Sequence, residues 1–256
     1  DSRRSTVGSR LCPAASRPLI CTSPVEATTA QTQTHARLPQ GHYVCTRVQK
    51  LTDTFPVYAQ GEEDLACGLY CLVSAAAALN TIDASHATGS ATEQVWKRLP
   101  PDCSLFEKRP AVPSHLFDRG LWHCDVQTVG EACGLRAAKT DEMPRDISPS
   151  SPVLAYLALT SVRDPRGRHQ PPFTHYVLAL EYVPSDSDDT EGWMIIADPH
   201  PWRPLNSAPE MPRGQIYAVS TEQFLKAWRN DSEWQQLQRK QRPFSRSAWS
   251  LSALST

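Results

Sequence analysis

The sequence lacks an apolar run long enough to cross a membrane as a helix, which needs roughly 18 consecutive apolar residues. Its richest apolar stretch, residues 65–79, is interrupted by small side chains. It also lacks a long basic run interleaved with aromatics, and its formal net charge is -1. These absences argue against a spanning helix and against non-specific nucleic-acid binding. We therefore expect a soluble protein that acts in the cytoplasm or after export.

The cysteines have no spacing typical of a zinc or redox site. Eight are present, and no two of them form a CxxC motif. We therefore predict no metal site and no cofactor, while the disulfide state stays open. The cysteines lie at positions 12, 21, 45, 67, 71, 103, 124 and 133.

Length and composition predict one main domain. The chain has 256 residues, of which 40% are hydrophobic and 21% charged, enough to bury one sizeable core. Residues 1–40 are rich in Ser, Thr, Arg and Pro and have no secretory hydrophobic core, so we expect a disordered leader, either a linker or an export address. The chain does not begin with Met, which fits a fragment or a processed form. Residues 41–242 are predicted to form the domain, and residues 243–256 a flexible tail.

The stretch that organises the chain is residues 60–79, a polar loop that runs directly into an Ala-rich helix. Asp64 is a good N-cap type, which would place Cys67 in the first turn, where the helix dipole favours an anion such as a thiolate. Gly68 is interpreted as leaving room for a substrate backbone beside the sulfur. A histidine from elsewhere would be needed to hold a reactive ion pair. The alternative is that Cys67 and Cys71 are small core residues.

Around this stretch the sequence predicts several further elements. The ordered part of the chain is expected to begin near His42. From there to Gln60 we expect a short extended segment that leads into the loop before Cys67. Residues 92–99 are predicted to form a short helix, and residues 125–134 a helix with Asp125 as its N-cap.

Downstream of residue 134, the pattern of apolar residues changes from one typical of helices to one typical of strands. Residues 152–159, 175–183 and 193–199 are apolar runs bounded by polar loops, which indicates three strands. The second and third read as an antiparallel pair. His175 opens one and Asp198 closes the other, so both would lie at the same end of the sheet.

A histidine that faces Cys67 and is held by Asp198 would fill the base and orienting roles of a nucleophile–base–carboxylate triad. The competing candidates are weaker. Cys71 lies one turn deeper and should point into the core. His200 follows Asp198 too closely to be held by it, and His169 sits in a polar loop.

These residues resemble a known family. Gln60 before Cys67-Gly68, Thr174-His175, Asp198-Pro199, and the Ser220 to Trp228 segment are similar to the papain-like cysteine peptidases of the C39-like group, and also to bacterial papain-fold effector proteases. The resemblance covers roughly residues 57–228. In that family the Gln before the Cys donates to the oxyanion, which maps onto Gln60, and a Ser/Thr-capped helix follows the Asp-Pro.

The resemblance implies an α+β papain-like fold, in which a helical half carrying Cys67 packs on an antiparallel sheet carrying His175 and Asp198. The implied activity is a cysteine peptidase that cleaves a peptide bond in a protein or peptide substrate through a thioester. Because other reactions share that intermediate, a glutamine deamidase or acyltransferase stays open. So does an inactive papain-like binding module. Oligomeric state is not predicted.

Overall fold

A computed structural model describes most of the chain from Gln40 onward. Every described residue falls within one compact unit, Arg37–Thr256. The predicted leader before residue 40, and the positions Asp64 and His169, lie outside the described residues. The described ranges are 40–60, 66–83, 95, 97–98, 121, 123, 125–159, 173–185, 192–200, 205, 215–229 and 247–254.

Four helices have defined bounds: α1 Gln40–Thr54, α2 Cys67–Ala78, α3 Val126–Ala132 and α4 Thr221–Arg229. The prediction of an extended entry was wrong over α1, where Val44, Val48 and Leu51 recur at helical spacing and are buried. Only the stretch after it, residues 56–60, is without regular structure.

The other predicted helices agree with the structure where it describes them. In the predicted 92–99 helix, Val95, Lys97 and Arg98 are helical, and the rest lies outside the described residues. Asp125 occupies the N-cap position of α3, although its side chain makes no capping hydrogen bond. Gly134 follows α3 with a φ of 76°, a left-handed conformation that favours glycine.

The described strands form one antiparallel sheet of order β1-β6-β2-β3-β4-β5. The three predicted strands are present as β2, β3 and β4, and β3 pairs with β4 as expected. The strand bounds are β1 Leu135–Thr140, β2 Val153–Leu159, β3 Phe173–Pro184, β4 Gly192–Ala197, β5 Ile216–Ser220 and β6 Ser247–Ala253.

Strand β6 corrects the prediction of a flexible tail over residues 243–256. It is inserted between β1 and β2 and pairs with both. Its Ala248 and Leu251 are fully buried, and Trp249 nearly so. A strand with a neighbour on each side belongs to the sheet interior, so this segment is part of the fold.

Two apolar clusters cover the two faces of the sheet, as layered domains require. The first unites α1, α2 and α3 with alternate sheet residues such as Leu154 and Leu178. The second unites α4 with the residues in between, such as Ala155 and Val177. The sheet is therefore a central layer, and α2 contacts β3 directly.

Two polar contacts support this arrangement. Arg47 of α1 forms a two-pronged ion pair with Glu181 of β3, with distances of 2.6 to 3.2 Å. Ser220 accepts a hydrogen bond from the Gln223 backbone at 3.2 Å, the N-cap contact predicted for α4. None of the described helices is long and apolar enough to cross a membrane.

Candidate active site

Cys67 is the first residue of α2, so the sequence expectation that it lies in the first turn is confirmed. The predicted N-cap was wrong, because Ala66 occupies that position and makes no side-chain cap. Cys67 is therefore two positions closer to the start of the helix than Asp64 as N-cap would place it. Backbone N–H groups of the first turn are not used inside the helix, and together with the dipole they favour a negative charge on the sulfur.

The backbone of one residue of β3, Tyr176, contacts both cysteines of α2. The backbone N–H of Tyr176 donates to the Cys67 sulfur at 3.4 Å, and its carbonyl accepts from the Cys71 thiol at 3.5 Å. The two thiols differ in access, since Cys67 is 8% exposed and Cys71 is 1% exposed. Burial, followed by the charges of Cys67 and Asp198, raises the pKa of Cys71 well above its usual value. Cys71 therefore remains a core thiol, as the sequence predicted.

Gly68 has a different role from the one predicted. A Cβ placed on it would lie 2.9 Å from the side chains of Leu121 and Tyr176. Such contacts are too short for real carbon atoms, so the glycine is required for close packing of α2 inside the core. The interpretation that it leaves space for a substrate backbone was wrong.

His175 and Asp198 are brought together as predicted from the strand order. Leu178 of β3 pairs with Ala197, the last residue of β4, and Asp198 follows directly. The His175 Nε2 atom lies 2.8 Å from Asp198 Oδ1, and both side chains are buried. The Cys67 side chain also helps to raise the pKa of His175, through its charge and through hydrogen bonding. Since Nε2 is engaged with Asp198, the ring nitrogen that remains for the sulfur is Nδ1.

The electrostatics of this group favour a charged imidazole. Burial alone would lower the pKa of His175, but the charge of Asp198, the charge of Cys67 and hydrogen bonds to both outweigh it. The result raises the pKa of His175 from 6.5 to about 10. At neutral pH the ring is therefore expected to be an imidazolium, the partner that a thiolate requires.

Asp198 accepts two further hydrogen bonds. The hydroxyl of Tyr217 donates to Oδ2 at 2.7 Å, and the backbone N–H of His200 donates to Oδ1 at 2.8 Å. The sequence analysis did not find Tyr217, because a tyrosine within a short apolar strand carries no motif. The contact from His200 comes from its backbone N–H, which folds back to the carboxylate as in an Asx-turn, whereas the ring that lies 2.8 Å from Asp198 is that of His175.

The His200 side chain packs against His175. Their ring centroids lie 5.8 Å apart in a T-shaped arrangement. Burial and the positive charge of His175 lower the pKa of His200 to about 4, although Asp198 opposes this. Near neutral pH, His200 is therefore neutral and His175 is charged, so the two neighbouring histidines differ in protonation.

Gln60 is held beside the same segment. Its backbone N–H donates to the Pro199 carbonyl at 3.0 Å, and its side chain is buried. Gln60, the residue that the resemblance assigns as the oxyanion donor, therefore lies next to Asp198-Pro199. Among the described residues, no group of three or more His, Cys, Asp or Glu side chains could hold a metal ion.

Comparisons with known proteins add little to this geometry. No protein-family profile matches the chain, and no curated protein is significantly similar to it in sequence. Among solved structures, one similar chain is the Pseudomonas avirulence protein AvrPphB, at 9% identity and a TM-score of 0.29, covering 79% of this chain and 100% of that chain. A TM-score this low carries no argument for a shared function. The function must be argued from the site.

Proposed function

We propose that this protein is a papain-like cysteine peptidase that cleaves a peptide bond through Cys67, His175 and Asp198. One observation carries the proposal. A buried histidine lies 2.8 Å from a buried carboxylate, and the backbone N–H of the next residue, Tyr176, donates to a cysteine that begins a helix. The same types of side chain could occur in a structural cluster. Their order, nucleophile then base then orienting carboxylate, is the order that acyl transfer requires.

In the first half of the proposed reaction, the Cys67 thiolate attacks the carbonyl carbon of the scissile peptide. The C–S bond forms as the carbonyl oxygen takes up negative charge. The Cys67 backbone N–H in the first turn and the Gln60 side chain are the proposed donors to that oxyanion. Cleavage of the C–N bond follows as the His175 imidazolium gives its proton to the leaving amine, and a thioester remains on Cys67.

In the second half, water attacks the thioester carbonyl while the now neutral His175 accepts its proton. The C–S bond breaks, releasing the carboxylic acid product, and the thiolate and imidazolium are restored. Asp198 holds the ring in one orientation throughout. No cofactor takes part in any of these steps.

The experiment uses a library of peptides derived from a whole proteome, incubated with the protein and analysed by mass spectrometry. We expect new peptide ends in the wild-type sample that are missing with Cys67→Ala and with His175→Ala. Cys71→Ala is the matched control, because it removes a thiol from the same helix and should leave cleavage in place. A gain of about one dalton at glutamine without new ends would replace the proposal with a deamidase. Unchanged peptides would indicate a binding module and contradict it.

A further inference from the structure

The Asp198 carboxylate is fully buried, with both of its oxygens occupied. Oδ1 accepts from the His175 ring and from the His200 backbone, each at 2.8 Å. Oδ2 accepts from the Tyr217 hydroxyl at 2.7 Å. These are short, charge-assisted contacts, which are the stronger kind of hydrogen bond.

Tyr217 delivers its hydroxyl from a fixed position in the sheet. It is the second residue of β5, pairs with Ile196 of β4 and is fully buried in the second apolar cluster. The Asp198 backbone N–H donates to the Gln215 carbonyl at 2.8 Å, so the two chain segments are also tied beyond the strand pairing. The phenol ring cannot move away without disturbing packing around it.

A buried carboxylate remains ionised only if donors replace the water it has lost. His175 supplies one donor, but that donor is the group whose charge Asp198 is proposed to stabilise. Tyr217 supplies a second donor from a different strand, on the carboxylate oxygen that His175 does not use. The terminal torsion of an aspartate is broad, so a contact on Oδ2 also stops the carboxylate from turning.

We propose that Tyr217 is a positioning residue for the reaction, which holds the Asp198 carboxylate in the orientation that stabilises the His175 imidazolium beside Cys67. The inference rests on the proposed function, because it assigns a role to a contact of the proposed triad. Tyr217 does not touch the substrate or the sulfur in this account. It acts through Asp198.

The test measures the rate at which iodoacetamide alkylates Cys67 between pH 4 and 10, in wild type and in Tyr217→Phe. Without the hydroxyl, the Asp198 carboxylate loses a donor and the contact that fixes its orientation, so it stabilises the imidazolium less. We expect the midpoint of the pH profile to rise by about one unit, the size typical of losing a hydrogen bond to a charged group. Tyr182→Phe is the matched control, since Tyr182 packs on the same cluster but pairs with Met194, well before Asp198.

The Asp198→Asn background separates positioning from packing. If Tyr217 acts through the carboxylate, adding Tyr217→Phe to Asp198→Asn should not move the midpoint further. An unchanged midpoint in the single Tyr217→Phe variant would overturn the inference, as would an equal shift in Tyr182→Phe or loss of folded structure in Tyr217→Phe. Failure of the proposed function gives a different result, because wild-type Cys67 would then show no enhanced alkylation at low pH.

Discussion

His175 illustrates how much the neighbours of a residue decide its chemistry. Burial removes water and would leave an isolated histidine neutral. The adjacent carboxylate and cysteine reverse that effect and raise the pKa of His175 to about 10, whereas the neighbouring His200 has its pKa lowered to about 4. Of these two histidines, whose rings are in contact, His175 is therefore positively charged and His200 neutral near neutral pH. A separation of this kind often marks an acid–base site.

A residue-scale prediction follows for the proposed triad. His175→Ala should abolish peptide cleavage and remove the low-pH alkylation of Cys67, because it deletes both the base and the cation. Asp198→Asn should lower turnover by about 10²- to 10⁴-fold and leave the fold intact, since an amide still fills the space but stabilises the imidazolium less. The measurement is turnover and alkylation rate against pH.

His200→Ala is the control for that series. It removes the ring but retains the backbone N–H that donates to Asp198, so we expect less than a tenfold change in turnover. If His200→Ala were the inactive variant, or if His175→Ala kept its low-pH alkylation, the assignment of the base would be wrong.

The sequence could predict the contact between His175 and Asp198 because the apolar runs that carry them are long and the antiparallel pairing fixes which ends meet. It could not predict the contact from Tyr217. That contact depends on the register of β5 against β4, and five residues of strand give little signal of their own. The role of Gly68 was hidden for a similar reason, since Leu121 and Tyr176 reach it from distant parts of the chain.

At the scale of elements, β6 shows how context can outweigh composition. Its sequence, SAWSLSA, is short and rich in serine, so it reads as a loose tail. In the fold it fills the gap between β1 and β2, and both of its edges are paired. Local patterns do not record such distant partners. Helix α1 is a different case, since Val44, Val48 and Leu51 recur at helical spacing and give a local signal.

This placement predicts that residues 247–256 cannot be removed without loss of the fold. Their deletion removes the described partner of β1, leaves β2 paired only with β3, and exposes apolar surface on both faces of the sheet. We expect no cooperative thermal transition in the truncated protein. Removing only residues 255–256 is the matched control and should leave the transition in place. Trp249→Ala should reduce the free energy of unfolding by about 3–5 kcal/mol; normal melting of the longer truncation would contradict the role given to β6.

At the scale of the whole molecule, two histidines make stability sensitive to acid. Burial and the charge of Lys139 lower the pKa of His123 to about 4, and the pKa of His200 is lowered to a similar value. The unfolded chain binds these protons near pH 6.5, so it binds more protons than the folded chain between pH 6.5 and 4. Stability from these groups is therefore present above pH 6.5 and is lost as the pH falls toward 4.

The prediction is a fall in the free energy of unfolding over that range, measured by urea denaturation at successive pH values. His123→Phe keeps an aromatic ring beside Tyr156 and Trp249. The ring centroid of His123 lies 4.4 Å from that of Tyr156 and 5.3 Å from that of Trp249. The slope of the variant's free energy of unfolding against pH should be smaller than that of wild type, by the amount that corresponds to about one proton bound on unfolding. Equal slopes in the two proteins would show that His123 is not a source of the acid sensitivity.

The central claim is that Cys67 is held as a thiolate by a charged His175. It is tested most directly by brief alkylation with iodoacetamide at mildly acidic pH, followed by mass spectrometry of every cysteine-containing peptide. An ordinary thiol titrates near pH 8.5 and reacts slowly there. The account predicts that Cys67 is labelled first, that Cys71 and Cys133 stay unlabelled because burial raises the pKa of each thiol, and that His175→Ala loses the preference. Uniform labelling of all eight cysteines, or preferential labelling of Cys71, would contradict it.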